Sequence, residues 1–333
     1  MNIHLDRETT VNSMKRFLTA IALISVLFGI MIMDYYFVYG SLSIYAANEP
    51  HIPIFSEIFL WLLLTISIFE LYSCYSKSGY NLFKAPLILL AVSIYPVFFV
   101  MEFFTGHGIY AILIALAASS ILELILFTFA NKEKYSSKDL FAEFSILIYP
   151  TLLVSFAFIL GARFSGIYVI MFATFLAVAG DTFAYWFGKS LHNKFPKKMC
   201  PTISPKKTVV GAIGGVVGSI FAAMVFWAFF EVGGISSTAN MSQVVAGCNY
   251  TLFFPATQIS DLWRSGLVYA AMGIIGAALS EVGDLAASRI KRSIGIKDFG
   301  TIFPGHGGVI DRLDSIMFAL VLLAVVLPIV YLS

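Results

Sequence analysis

Charge is what this chain has least of. Only 12% of its 333 residues are Asp, Glu, Lys or Arg, against about 25% in an ordinary soluble domain. That shortage excludes a water-soluble enzyme. Cysteine is also scarce: Cys74, Cys200 and Cys248 stand far apart with no CxxC spacing, so neither a disulfide framework nor a zinc site is legible. Of the five histidines, His4, His51, His107 and His192 read as residues of loops. What remains is apolar, with 59% hydrophobic residues, 16% aromatic residues and a mean hydropathy of +0.89.

The apolar residues gather into nine runs, about 17–39, 54–75, 85–104, 108–130, 144–161, 166–187, 209–230, 267–286 and 316–332. Runs of roughly 17 to 25 residues match the ~30 Å of hydrocarbon that a helix must cross. Backbone polar groups in lipid must be paired within each segment, and a barrel would show short alternating runs instead. The sequence therefore predicts an all-α, polytopic integral membrane protein with about nine transmembrane helices. The first run follows Lys15 and Arg16, but it is too long for a signal h-region and lacks a small-x-small cleavage site, so it reads as an anchor. Residues 1–140 are expected to hold four spans with little motif content, and 141–333 the catalytic transmembrane region.

Orientation follows from lysine and arginine, which short cytoplasmic loops retain. With the N-terminus inside, nineteen of the 21 fall on the inner side, leaving only Arg163 and Arg264 outside. The C-terminus is then external, in a bacterial inner membrane or its equivalent. The longest external connection, about 231–266, reads as a loop without chemistry, and its Asn249-Tyr250-Thr251 acceptor pattern as accidental. Lys132, Lys134 and Lys138 read as a topology signal and headgroup contact, and Glu133, Asp139 and Glu143 as a solvated loop face.

Ionisable residues inside a span are costly, and function is their default reading. Most spans are expected to hold few or none. The exceptions are Asp181 in the sixth span and Glu281 and Asp284 in the eighth, with Asp311 and Asp314 just before the ninth and Lys206 and Lys207 just before the seventh. Topology brings these four helix ends to one depth on one face. Asp284, Ser288 and Lys291 at i, i+4 and i+7 form one helical stripe. Carboxylates beside basic groups suit magnesium held together with substrate phosphates, and Pro304-Gly305-His306-Gly307-Gly308 gives a turn whose backbone could approach an anion. Asp181 alone could equally be a structural partner, Glu281 either a ligand or a hydrogen-bonding partner, and His306 either catalytic or structural. An ion-coupled transporter with Asp181, Glu281 and Asp284 as coupling sites is the alternative of another class.

The string Ser288 to Asp314, SRIKRSIGIKDFGTIFPGHGGVIDRLD, closely resembles the signature of the phosphatidate cytidylyltransferase family, of the form S-x-x-K-R-x4-K-D-x-G-x3-P-G-H-G-G-x-x-D-R-x-D. Two further stretches resemble the same family: Gly180-Asp181-Thr182-Phe183-Ala184-Tyr185 with Gly188-Lys189, and Ser204-Pro205-Lys206-Lys207-Thr208 with Gly211, Gly214 and Gly215. The resemblance covers about 166–333. It implies transfer of a cytidylyl group from CTP to phosphatidic acid, with magnesium required and a second cation such as potassium allowed; a CTP-dependent lipid kinase is the nearer alternative. It further implies that membrane lipids surround the protein, that no nucleic acid is a partner, and that a homodimer is allowed. Carried over onto this chain, Asp284 and Asp311 match metal-binding carboxylates, and Ser288, Lys291 and Lys207 match catalytic neighbours. Asp181, Ser204, Lys206, Arg292, His306, Arg312 and Asp314 fall to substrate binding, while Glu281 lies outside the part of the signature that carries a role.

Overall fold

The computed structural model describes residues 25–26, 29–30, 32–34, 54–131, 133–163, 167–191, 193–229, 262–303 and 307–332, apart from the side chains of 162, 163, 167, 206 and 328–332. The described elements are α1 (Ile54–Lys77), α2 (Lys84–Thr105), α3 (Gly108–Phe129), α4 (Ser137–Ile146), a π-helical turn (Leu147–Leu152) and α5 (Leu153–Arg163). There follow α6 (Ile167–Leu191), β1 (Lys198–Cys200), β2 (Ser204–Thr208), α7 (Val209–Trp227), α8 (Leu262–Ser293) and α9 (Ile310–Leu332). Among the described residues seven helical stretches are long and apolar enough to cross a membrane. They coincide with the second to eighth expected spans, α4 to α5 counting as one through the π turn at Pro150. The ninth expected span corresponds to α9, and most of the first lies outside the described residues. The protein is an all-α integral membrane protein.

The chain packs as two compact units, Met1–Phe158 with Ser293–Leu313, and Ile159–Arg292 with Asp314–Ser333. In the first unit Leu64, Ile68 and Leu71 of α1 are fully enclosed. Leu89, Val92 and Phe104 of α2 are exposed, an apolar surface that lipid accommodates and water would penalise. The apolar spans conceal more acid than the sequence suggested, because Glu57 and Glu70 on α1, Glu102 on α2 and Glu123 on α3 are all buried. Asp139 and Glu143 also depart from expectation, being buried rather than on a solvated face. Asp139 Oδ1 accepts the Asn81 N–H at 2.9 Å, and Glu143 accepts that of Phe83. The two carboxylates thus fasten the connection between α1 and α2. Glu133 is exposed, as expected.

In the second unit close packing follows from small residues, since helices in lipid associate by fit and not by hydrophobic contrast. A Cβ at Gly214 or Gly218 of α7 would strike Phe187 or the Ala179 carbonyl of α6 at 2.5 Å. On α8, one at Gly273 would meet the Ile220 backbone of α7 at 2.8 Å, and one at Gly283 the Asp314 carbonyl of α9 at 2.3 Å. Helix α8 is therefore held against both α7 and α9 by residues that leave no room for a methyl group. A short antiparallel hairpin, not foreseen from the sequence, pairs Lys198 with Thr208 and Cys200 with Ser204. Its last residue, Thr208, starts α7 by accepting the Gly211 N–H at 3.0 Å. The hairpin thereby fixes where Lys207 stands relative to the helix start.

Candidate active site

In the second unit the expected acidic and basic residues do meet. Lys207, on β2 of the hairpin, donates to Glu281 and to Asp284 Oδ2, the latter at 2.6 Å. Glu281 and Asp284 are three residues apart on α8, so one helical face presents both carboxylates to a single ammonium. Burial alone would pull the Lys207 pKa down, but Asp284 and Glu281 more than reverse it, and the pKa is raised above the ordinary 10.5. The sign is that of a cation gaining partners: the contribution of the pair is complete below the ordinary lysine value and is lost only as pH rises through the raised one.

Asp181 of α6 lies within electrostatic reach of Asp284, Glu281 and Lys207, and its Oδ2 accepts the Ser315 hydroxyl at 3.4 Å. Asp314 of α9 lies within reach of Asp284, Asp181 and Lys291, while its Oδ1 accepts the Ser315 N–H at 2.8 Å. Three helices and a strand thus converge four carboxylates on two ammonium groups. Such an excess of negative charge in a half-buried setting is stable only with further cations or with protons.

Glu281 is the residue the signature left without a role, and it is one of the two partners of Lys207. Its three-residue spacing from Asp284 was the available signal. Ser204 pairs with Cys200 across the hairpin. Ser288 and Lys291 continue the α8 stripe, and Arg292 is exposed at its end. The side chain of Lys206 and the whole of His306 lie outside the described residues.

In the first unit the signature segment is organised by carboxylates. Asp311, in the first turn of α9, accepts the Phe299 N–H at 2.8 Å and the Gly308 N–H at 2.9 Å, both through Oδ2. Gly307 has φ +86°, and a Cβ there would stand 2.6 Å from that same oxygen, so glycine is required both by its backbone and by its contact. The turn is closed by the Phe303 N–H on the Gly307 carbonyl at 2.9 Å. Arg312, next in sequence, is exposed. Sequence reasoning missed Glu70 altogether. Its two carboxylate oxygens accept the Val309 and Ile310 N–H groups at 3.2 and 2.9 Å, capping the start of α9 as an anion suits a helix N-terminus.

Among the described residues no three His, Cys, Asp or Glu side chains form a metal-holding group. The donor set still suits magnesium, which takes one or two carboxylates and completes its shell with water and substrate phosphate, not with a cage of protein ligands.

Residues 14–330 match the model of the cytidylyltransferase family. The chain is 32% identical over 204 residues to a phosphatidate cytidylyltransferase of Staphylococcus haemolyticus, covering 61% of this chain and 65% of the relative. Over the same spans it is 31% identical to the enzyme of that name from Staphylococcus saprophyticus and 30% to that from Staphylococcus aureus. The match thus extends over 65% of the length of these curated relatives.

Proposed function

Because the chain belongs to the cytidylyltransferase family, we propose that it transfers the cytidylyl group of CTP to phosphatidic acid, giving CDP-diacylglycerol and pyrophosphate for phospholipid synthesis. The observation that carries this reading is the convergence of Asp181, Lys207, Glu281, Asp284 and Asp314 from separate elements of one unit. A phosphate oxygen of phosphatidic acid would attack the α-phosphorus of CTP. The bond from that phosphorus to the pyrophosphate oxygen breaks, and pyrophosphate leaves with the electron pair. Phosphorus chemistry of this kind needs alignment and charge neutralisation more than a strong base.

In this scheme Lys207 and Lys291 face phosphate oxygens as point charges, with Arg292 and Arg312 supplying further positive charge. Asp284 and Asp311 are each proposed, from the family resemblance, as a magnesium-binding carboxylate, and magnesium when bound would neutralise charge on the phosphates. Asp181 and Asp314 help to position the substrates. The acyl chains remain in the bilayer while only the headgroup meets the nucleotide.

CTP labelled in the cytosine, supplied with phosphatidic acid and magnesium to the protein in detergent, should give a labelled lipid and free pyrophosphate. Label entering lipid only from the γ-phosphate would identify a lipid kinase instead, and no labelled lipid at all would overturn the reading.

Lys207→Ala and Lys291→Ala should each lower activity by about tenfold, the scale of one charge-assisted contact. The loss should exceed neither carboxylate change described below, because Lys206 or Arg292 partly replaces a point charge. Steady-state kinetics with CTP and phosphatidic acid varied in turn would check this, and lysine variants more damaged than the carboxylate variants would reverse the assigned roles.

We further propose that the site faces the cytoplasm, the side that keeps nineteen of the 21 lysines and arginines by the positive-inside rule. Cysteines placed at Lys194 or Lys297 should react with an impermeant reagent only from the cytoplasmic side, and one at Ser242 only from outside. Reaction of a Lys297→Cys protein from outside intact cells would invert the topology.

A further inference from the structure

Three side chains of the first unit, spaced i, i+4 and i+8 at the end of α1, all grip the segment that bears the family signature. Glu70 accepts the Val309 and Ile310 N–H groups at 3.2 and 2.9 Å. Cys74 Sγ donates to the Phe299 carbonyl at 2.9 Å, and Ser78 Oγ to the Ile294 carbonyl at 3.1 Å. The spacing puts all three on one face of a helix and its immediate extension.

Glu70 is the centre of this clasp. A Cβ added to Gly300 would stand 1.9 Å from its Oε1, and one added to Gly308 would stand 2.0 Å from the same atom. The two glycines lie on opposite arms of the turn, so the carboxylate occupies the space that both leave empty. The same turn delivers the Phe299 and Gly308 N–H groups to Asp311. The Glu70 carboxylate and the Asp311 carboxylate therefore hold one loop from two sides.

We propose that Glu70 is a positioning residue for the reaction: its carboxylate, seated between Gly300 and Gly308 and bonded to the Val309 and Ile310 N–H groups, sets the placement of Asp311. This rests on the function proposed above. Glu70 does not touch substrate in this account; it acts through the turn. An acidic residue from a segment without signature motifs is thus a functional part of the signature.

The test uses the full chain in detergent with CTP, phosphatidic acid and magnesium. Glu70→Gln keeps the volume and one acceptor oxygen but turns an N–H of its own toward a backbone donor; Glu70→Ala removes both acceptors. Turnover per folded molecule should fall by about tenfold in the first and more in the second, the scale of charged hydrogen bonds to backbone. KM for CTP should change little, and the magnesium concentration giving half activity should rise. Alkylation of Cys74, followed by peptide mass spectrometry, should quicken by about tenfold as the clasp loosens.

A purely structural role would instead lower the yield of folded protein and leave turnover per folded molecule and the magnesium midpoint unchanged, which overturns the proposal. So does a loss of turnover with Cys74 alkylation unaltered. A second arm uses Gly300→Ala, whose penalty on the Cys74 rate and on turnover should largely vanish in the Glu70→Ala background, where the methyl group finds room. Additive penalties would overturn the clasp. If the wild-type protein makes no CDP-diacylglycerol, the proposed activity fails, while the Cys74 rates and the Gly300 coupling still decide whether Glu70 holds the turn.

Discussion

Asp284→Ala is expected to lower the formation of CDP-diacylglycerol by at least about a hundredfold, about 2.7 kcal/mol of transition-state stabilisation, while the protein still folds. Asp284 is half-buried and shares Lys207 with Glu281. Its removal leaves the ammonium one good partner, so the fold survives. What disappears is negative charge at the point where the phosphates and their cation are to be held, and no neighbouring group restores it at that position. Glu281 stays bound to Lys207, and Asp314 already caps its own Ser315. Purified protein assayed at saturating CTP checks the effect, with size exclusion and thermal unfolding in detergent confirming the folded state. Near-normal turnover would remove Asp284 from the site.

Asp311→Ala should cost at least about a hundredfold as well, and for two separable reasons. Alanine abolishes the charge, and it also leaves the Phe299 and Gly308 N–H groups without the oxygen that now accepts both. An abandoned buried donor costs about 1–3 kcal/mol, so the melting temperature should drop too. Asp311→Asn separates the two effects. It retains an acceptor oxygen for the turn but not the charge, and should therefore recover most of the melting temperature and little of the activity. Recovery of both by asparagine would show that Asp311 serves the turn alone. The magnesium dependence of the residual activity adds a further reading, since a lost carboxylate ligand shifts the midpoint to higher concentration.

These two changes illustrate different degrees of legibility. Asp284 and Asp311 stand out in the sequence because a carboxylate in or beside an apolar span is expensive, and Asp311 also because it falls within the string that resembles the family signature. The meeting of Lys207 with Asp284 was half legible, through topology, which places the ends of the sixth, seventh and eighth spans at one depth. Its pairing with Glu281, 74 positions away, depends on the hairpin that precedes α7, and no apolar periodicity announces that hairpin. Asp139 and Glu143 misled for a related reason: they follow a lysine-rich connection and look solvated, yet each is consumed by a backbone N–H of another loop.

By itself the sequence determined what depends on runs and neighbours: the lipid environment, the helical class, most spans, and the signature that marks the family. Those properties are local, because the length of an apolar run and the spacing of residues on one helix need no knowledge of other segments. The tertiary structure alone decided which distant groups share a hydrogen bond. Glu70 lies 239 and 240 positions from the two N–H groups it accepts, in a helix that reads as plain apolar span. Only the fold shows that α1 brings this carboxylate between Gly300 and Gly308, because a buried charge is stabilised by whatever donors surround it in space, and chain order does not record them.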